Sequence, residues 1–218
     1  MRSVWAVFAG LVLLSAPSAL AVTFGQVDTF QDGTVMGWQT GPTDPSPPAN
    51  IPNGGPLGAG DRYMLLTSSG SLGVGGKLVV HNQAQWSGNY TAAGVTVIRM
   101  NLNNLGNTNL NIRLLFEGVG IVDMAITTVP FNIAAGSGWV TANIPINASD
   151  LTPIVGSSAN ALANTFRFRI LHGTGTTFPP APIAASLGVD NIGAVPEPGS
   201  LAALGLAALA FIRRRRAR

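Results

Sequence analysis

The 218-residue chain has no cysteine and only 10% charged residues, which excludes disulfide-stapled folds and cysteine-ligated zinc sites. Its formal charge of +3 is unevenly spread, because six of the twelve basic residues are Arg2 and five arginines within residues 213–218. Residues 22–194 hold six basic and eight acidic side chains, so the body of the chain is slightly acidic. This balance argues against nucleic-acid binding and indicates a separate role for the two ends.

Residues 1–21 have the pattern of a cleaved secretory signal. Arg2 precedes an apolar stretch over residues 4–14, and small residues follow it. Ala19 and Ala21 form the small-x-small pattern that signal peptidase recognises. The apolar stretch is short for a membrane span. We therefore predict a signal peptide over residues 1–21, with cleavage after Ala21.

Period-two alternation of apolar residues dominates residues 22–194 and predicts β-strands with one buried face. In the segment 165–170, for example, Phe166, Phe168 and Ile170 are predicted to point inward. Short strands separated by Gly-, Asn- and Pro-rich connections predict one all-β domain, an antiparallel two-sheet jelly-roll-like sandwich. The predicted strands are 63–67, 77–82, 95–102, 110–117, 139–146, 165–170 and 187–192.

Two connections stand out. Residues 41–60 contain six prolines, and a loop of this length in a compact domain is usually functional or mobile. Residues 147–152 resemble a helix start, but Pro153 and Gly156 limit any helix there to about one turn.

The last segment combines a proline motif, an apolar run and an arginine cluster. The thirteen residues 200–212 are uncharged helix formers that rise about 20 Å as a helix, against about 30 Å for a hydrocarbon core. Such a helix is able to cross the membrane if the bilayer thins locally and the arginine side chains extend toward the lipid head groups. The arginines are then expected on the cytoplasmic side. A buried C-terminal helix is the alternative, but the run is apolar on every face. The flanking motifs are Val195, Pro196, Glu197, Pro198 and Gly199 before the run, and Arg213, Arg214, Arg215 and Arg216 after it.

These three features together resemble the PEP-CTERM family of bacterial exported proteins. The resemblance implies recognition by an exosortase-type membrane transpeptidase, with a cut near Pro196–Pro198 and loss of the helix. It implies export across the inner membrane by way of signal peptidase, a transient membrane anchor, and a final place at the cell surface or outside the cell. The motif covers only residues 195–218. It therefore does not indicate the function of the domain over residues 22–194.

The body resembles galactose-binding-like jelly rolls, which include carbohydrate-binding modules. The resemblance rests on Phe-Gln-Asp-Gly at 30–33 with Gly-Trp at 37–38, on Trp-Ser-Gly-Asn-Tyr at 86–90, on Gly-Ser-Gly-Trp at 136–139 and on Leu-Gly-Val-Asp-Asn-Ile at 187–192. It implies that the first and last strands pair, and that Asp32 and Asp190 bind a structural calcium with Gln31 or backbone carbonyls. The alternative is an Asp-Gly turn at Asp32 and a strand end at Asp190.

No catalytic motif is recognisable. His81 and His172 stand at predicted strand ends outside any nucleophile motif, and the acids Glu117 and Asp123 are separated by a glycine turn and interpreted as solvated. Gly75-Gly76-Lys77 lacks the phosphate-loop pattern. We therefore predict no catalytic residues.

The face opposite the predicted core carries arginines that would form one patch for an anionic sugar if their strands share a sheet. The set is Arg99, Arg113, Arg167 and Arg169, with Trp38, Trp86 and Tyr90 as stacking surfaces. The alternative is a set of separate solvated arginines, with the aromatic residues in the core. Three functions therefore remain: a non-catalytic matrix protein associated with exopolysaccharide, a structural surface protein without a small ligand, and a secreted polysaccharide hydrolase.

Overall fold

The computed structural model describes residues 21–196, and every structural statement below concerns that part of the chain. Residues 1–20 of the predicted signal and the predicted transmembrane helix lie outside it. No helix within it is long and apolar enough to cross a membrane. In chain order the elements are β1 (Val27–Asp28), β2 (Ala49–Ile51), β3 (Tyr63–Ser69), β4 (Val79–Asn82), β5 (Val97–Asn104), β6 (Leu110–Gly118), β7 (Met124–Thr127), β8 (Phe131–Ile133), β9 (Trp139–Pro145), β10 (Leu151–Val155), α1 (Ser158–Ala163), β11 (Thr165–His172) and β12 (Ala184–Val195).

The strands form two six-stranded sheets in which every pair is antiparallel. Sheet A has the order β2-β3-β12-β5-β9, with β1 added to β12. Sheet B has the order β10-β7-β6-β11-β4, with β8 added to β6. Alternate residues of both sheets meet in one hydrophobic core. The predicted antiparallel two-sheet sandwich is confirmed, and the predicted pairing of the first and last strands is observed.

All seven predicted strands are present, with ends shifted by at most three residues. The strands that were not predicted, β1, β2, β7, β8 and β10, are too short to show a periodic pattern. One inward position is wrong. The register between β11 and β6 shifts between Thr165 and Arg167, and Phe166 is 43% exposed. The irregularity turns Phe166 out of the core.

The two connections 41–60 and 147–152 have different structures. Residues 41–60 are not one continuous loop, because β2 lies within them and pairs with β3. At 148–150 the chain forms a single 3-10 turn closed by a capping box between Asn147 and Asp150, so the predicted single turn is confirmed. The short helix α1, which follows Ser157 as its N-cap, was not predicted.

An aromatic cluster fills one region of the core. Tyr90, Phe116 and Phe168 lie in contact with ring centroids 5.0–6.1 Å apart, and Trp38 and Trp86 pack against Phe168. The two indole N–H groups both donate to Oδ2 of Asp28, each at 2.7 Å. The buried polar atoms of this region are therefore paired, as a low-dielectric core requires.

The two ends of the described chain leave the sandwich at the same end. The amide of Gly25 donates to the carbonyl of Ala194 at 2.9 Å, and Val27 pairs with Gly193. The side chain of Val22 is buried in the core, while β12 runs to Val195 before the chain continues at Pro196. Segments attached at the two ends therefore emerge side by side.

Candidate functional site

The outer face of sheet B carries a line of charged residues. Phe116 and Phe168 point into the core, so the alternating positions Glu117, Arg167 and Arg169 point outward. Strand pairing sets Arg167 opposite Glu117 on β6, and Arg169 opposite His81 on β4. Residues 50 positions apart in the sequence thus become neighbours.

Glu117 is held between the two arginines. Its Oε1 accepts from Nη1 of Arg167 at 3.1 Å, and its Oε2 accepts from Nε and Nη2 of Arg169 at 3.1 and 2.8 Å. The glutamate is only 2% exposed, so this ion-paired geometry compensates a buried charge. A guanidinium group has five N–H donors, and donors therefore remain for a ligand.

A cleft of about 620 Å³ opens above these residues. Its floor includes His81, Arg167 and Arg169, and its walls are residues 39–44, residues 73–77 with Lys77, and the segment Phe178–Pro180. The volume lies within the range of small-ligand sites, about 300–1,000 Å³. The first part of the proline-rich segment 41–60 therefore forms a wall of this cleft.

Phe178 gives the cleft an aromatic side. The guanidinium carbon of Arg169 lies 4.9 Å from the centroid of the Phe178 ring, and the half-buried ring also packs on a small apolar cluster of sheet B. That cluster consists of Leu115, Met124, Ile126 and Leu171. The arginine side chain is thus positioned on both sides, by a carboxylate and by a ring.

The electrostatic balance of the cleft is positive. Burial and the charges of Arg169 and Arg167 lower the pKa of His81 to about 4, so His81 is neutral at pH 7. Lys77, Arg167 and Arg169 are three of the six basic residues in 22–194, and Asp44 and Glu117 offset two of their charges. The cleft therefore concentrates positive charge on an otherwise acidic body.

The predicted arginine patch does not form as a whole. Arg99 lies on β5 in sheet A, so the sandwich separates it from the arginines of sheet B. Arg113 is on sheet B but only 4% exposed, and it donates to the carbonyls of Gly173, Thr127 and Thr128. Arg167 and Arg169 are the two that the structure brings together.

The predicted stacking aromatics are core residues. Trp38, Trp86 and Tyr90 are at most 2% exposed, and they belong to the aromatic cluster around Asp28. They are unable to stack on a sugar without opening the core, which corrects the prediction. The sequence pattern that suggested them, aromatics within Gly- and Asn-rich turns, also fits residues that cover the end of a sandwich core.

Glu117, Asp123 and His172 each have hydrogen-bond partners within the protein. Glu117, interpreted from the sequence as solvated, is instead buried between two arginines. Asp123 accepts the amide of Ser157 at 2.8 Å. Nδ1 of the buried His172 accepts the amide of Asn111 at 3.0 Å. Glycoside hydrolysis uses two carboxyl groups that face each other across a cleft, and these contacts hold the acids in structural roles instead.

The predicted calcium ligands are only partly brought together. The carboxylate of Asp32 accepts from the amide and the hydroxyl of Thr34, which is the Asp turn of the alternative interpretation. Asp190 is fully buried, and burial together with the charge of Asp61 raises its pKa to about 7. Asp61 in turn accepts from Nε2 of Gln31 at 2.7 Å. Asp61, not Asp32, is therefore the acidic neighbour of Asp190.

The region around Asp61 and Asp190 has part of the set of oxygen ligands that surrounds a calcium ion. The two carboxylates supply oxygen ligands of the type that calcium prefers, whereas Gln31 presents its amide N–H, not its oxygen, to Asp61. Within residues 21–196, however, no group of three or more acidic or histidine side chains is clustered for metal binding. Backbone carbonyls and water would have to complete the shell.

Trp139 and Tyr63 form an aromatic pair that was not predicted as part of a site. The ring of Trp139 meets that of Tyr63 edge to face, with centroids 5.2 Å apart, and Nε1 of Trp139 donates to the carbonyl of Gly54 at 2.9 Å. Both rings lie over Gly188 of β12, where an added Cβ would be 3.0 Å from Trp139. The glycine thus permits close approach of the rings to the outer face of sheet A, which no sequence signal indicated.

Residues 194–216 match the model of the PEP-CTERM protein-sorting motif. The chain carries a PEP-CTERM motif at its C-terminus. This confirms the resemblance of the tail and indicates an exported, exosortase-sorted protein. Comparison with curated protein sequences finds no match.

Solved structures of low identity share the fold. One, described as the structural analysis of an exo-beta-agarase, has a TM-score of 0.53 and 10% identity; the match covers 81% of this chain and 26% of the agarase. This chain thus spans about a quarter of that protein. The family 11 carbohydrate-binding module of Clostridium thermocellum, solved in complex with a beta-1,3-1,4-mixed-linked tetrasaccharide, has a TM-score of 0.52 and 14% identity, with 80% of this chain and 99% of the module covered. The body therefore has the two-sheet sandwich fold of carbohydrate-binding modules.

Proposed function

We propose that this protein is a cell-surface or extracellular-matrix protein whose β-sandwich binds exopolysaccharide without catalysis. The observation that carries the proposal is the cleft on sheet B, where Lys77, Arg167, Arg169 and Phe178 converge. The family 11 module has the same kind of fold and was solved with a bound tetrasaccharide, which supports the choice of ligand class. Fold alone does not establish a site, so the cleft residues carry the argument.

An acidic polysaccharide matches the chemistry of the cleft. Guanidinium groups bind carboxylate or sulfate through paired N–H donors, and Phe178, packed against the guanidinium of Arg169, adds apolar atoms to the lining of the same cleft. The arginines are already oriented by Glu117, so their side chains lose little conformational freedom when a ligand binds.

The processing sites fit the ends of the domain. A signal-peptidase cut after Ala21 would leave Val22 as the first residue, and Val22 is already anchored in the core with its amide on the carbonyl of Ser87. An exosortase cut near Pro196–Pro198 would fall directly after β12, whose last residue Val195 still pairs with Val97. Both cuts thus leave the described sheets complete. Mass spectrometry of the mature protein would show the two new ends.

Affinity gel electrophoresis tests the cleft. The purified protein is run through gels that contain alginate, a polyuronate, or mixed-linkage β-glucan, a neutral polymer. Alginate is expected to retard the protein, and Lys77→Ala with Arg167→Gln is expected to weaken retardation at least about tenfold, since two charge-assisted contacts are lost. Arg99→Ala removes one positive charge from the opposite sheet and is the control for charge outside the cleft, expected to leave retardation unchanged.

The two alternative functions predict different results. A structural surface protein without a small ligand would pass both gels, and a panel that includes the exopolysaccharide of the host, without retardation. A hydrolase would release reducing sugar from one of these polymers, and Asp44→Asn or Glu117→Gln would abolish that release. Retardation that survives the cleft variant would contradict the assignment of the cleft.

A further inference from the structure

Six of the twelve exposed large apolar side chains of residues 21–196 lie at one end of the sandwich. We call this set the apolar end; it consists of Phe24, Val119, Ile121, Val122, Val155 and Phe166, each at least 43% exposed. Monomeric proteins rarely expose contiguous apolar groups without a partner. The apolar end is therefore a candidate contact surface.

The turn between β6 and β7 is the most exposed part of the set. Val119, Ile121 and Val122 are 67%, 54% and 66% exposed. Ile121 has a φ of 60°, a conformation that is unfavourable for a β-branched residue. The turn thus holds an apolar side chain in solvent at a conformational cost, and its role lies outside the packing of the domain.

Backbone contacts connect this turn to both ends of the chain. Gly118 pairs with Thr165, and Thr165 bridges to Gly88. The neighbouring carbonyl of Ser87 accepts the amide of Val22. On the other side, the amide of Thr96, which precedes β5, donates to the carbonyl of Val195.

The other apolar residues lie on the same network. Phe24 precedes Gly25, whose amide donates to the carbonyl of Ala194. Val155 pairs with Met124, the residue opposite Glu117 at the end of β6. The apolar end therefore coincides with the end of the sandwich from which the chain continues at Pro196 toward the apolar run 200–212.

We propose that the apolar end lies against the lipid bilayer while the C-terminal segment anchors the protein. The inference rests on the membrane anchor of the proposed function. Exposure alone does not select this end, because Leu72 is 93% exposed at the opposite end, in the loop that joins β3 to β4. The position of the anchor selects it. Since a tether raises the effective concentration of the apolar turn at the membrane, even weak interfacial insertion of valine and isoleucine suffices to hold it there.

The orientation has a structural consequence. With the apolar end on the bilayer, the sheets stand away from the membrane, and the faces of the sandwich are open to the polymer outside the cell. Val195 and Pro196, at the end of β12, are then held at the membrane surface, where a membrane transpeptidase acts.

The absence of cysteine in the chain allows single-site labelling. Val122→Cys and the matched control Leu72→Cys are each introduced into the full chain and labelled with the fluorophore NBD. Each is incorporated into vesicles of phosphatidylethanolamine and phosphatidylglycerol with and without doxyl-labelled lipid. We expect the doxyl lipid to quench the label at position 122 at least about twofold more than the label at position 72. Equal quenching at the two positions would overturn the inference.

Two further arms separate the causes of failure. Flotation of the full chain with the vesicles tests the anchor by itself, so a chain that fails to float overturns both the anchor and this inference. A chain that floats with an unquenched label at position 122 overturns this inference alone. A chain whose apolar run packs back onto the turn is expected neither to float nor to show quenching.

A polar variant tests the turn directly. Val119→Ser, Ile121→Asn and Val122→Ser are combined, since asparagine tolerates the positive φ at position 121. In this background a label at Val155→Cys is expected to lose its quenching while flotation is retained. Retained quenching would contradict a role of the turn in holding the domain on the lipid.

Discussion

Asp28 and Glu117 are both buried carboxylates, 1% and 2% exposed, but they are compensated in different ways. Asp28 accepts from the neutral indole N–H groups of Trp38 and Trp86 in the core. Burial raises the pKa of Asp28, and these hydrogen bonds oppose the rise. Glu117 lies on the outer face of sheet B and is paired with two arginines that line a cleft.

The difference separates a structural carboxylate from one that organises a binding site. The indole partners of Asp28 lie within the aromatic cluster, and its third donor, Nε2 of Gln85 at 3.3 Å, also donates to the carbonyl of Met36, so these contacts serve packing. The partners of Glu117 have further N–H donors, and both arginines line a cleft that is large enough for a ligand. A buried acid therefore indicates function only when its partners reach solvent.

The largest effect is expected from breaking the core carboxylate site. Trp86→Ala removes a fully buried indole and one donor to Asp28, and the expected loss is about 4 kcal/mol of unfolding free energy. Urea denaturation measures it, and Trp86→Phe, which keeps the ring packing, is expected to lose less. If Trp86 served a ligand surface instead, the alanine variant would unfold near the wild-type urea midpoint.

Breaking the cleft site is expected to cost somewhat less. Arg169→Met leaves Glu117 buried with a single arginine partner, and we expect a loss of about 3 kcal/mol. The double variant Arg169→Met with Glu117→Gln removes the uncompensated charge and is expected to recover part of that loss. Equal urea midpoints for the single and double variants would contradict the compensation of Glu117 by Arg169.

A third buried carboxylate sharpens the comparison, because Asp190 has neither indole nor guanidinium partners. It accepts from the amide groups of Asn191 and lies near Asp61. If calcium compensates this pair, calcium at ten times its dissociation constant is expected to stabilise the protein by about 1.4 kcal/mol. The melting temperature would then rise by a few degrees relative to protein in EDTA.

Two substitutions identify the ligands. Asp61→Asn is expected to abolish the response of the melting temperature to calcium, whereas Asp32→Asn, which changes an acid already bonded to Thr34, is expected to retain it. A response that depends on Asp32 would restore the original ligand prediction, and an unchanged melting temperature in calcium and EDTA would exclude the site.

The smallest effect concerns the charge of the cleft. The pKa of His81 is about 4 in the folded protein because of burial, Arg169 and Arg167, against about 6.5 for an unperturbed histidine. The unfolded chain therefore binds more protons between these values, so stability falls as the pH is lowered from about 6.5 to 4. With solvent screening taken into account, we expect about 1 kcal/mol.

His81→Gln is the matched variant for this effect. Unfolding free energies of the wild type and the variant are measured from pH 4 to pH 7.5. The wild-type value is expected to fall by about 1 kcal/mol relative to that of the variant as the pH is lowered, because glutamine does not titrate. Parallel curves over the whole range would show that the pKa of His81 is not lowered by the arginines of the cleft.

Much of the fold was predictable because strand alternation is a local property. The segments that became β5 and β6 alternate over eight or more residues, and their inward faces were predicted correctly. The failures have two different origins. Strands such as β8, with three residues, are too short to show a period, and the irregularity at Phe166 depends on the neighbouring strand.

The candidate site was predicted only in fragments. Arg167 and Arg169 stood out because they alternate with core residues along one strand. Their partner Glu117 is fifty positions away, and Phe178 lies in a loop without any periodic signal, so neither could be joined to them before the sheet register was known. Trp86 and Tyr90 were misassigned because an aromatic residue beside glycines has the same local pattern in a binding loop and over a core.

The sequence by itself determined the sorting signal of this protein and the class of its fold. The sorting motif, the apolar run and the arginine cluster are continuous in the chain, and strand periodicity is likewise readable from neighbours a few residues apart. Only the tertiary structure decided which arginines share a face, which carboxylates are compensated, and that the apolar turn lies beside both chain ends. These relations depend on antiparallel pairing between distant strands, and such pairing leaves no signal in any single segment.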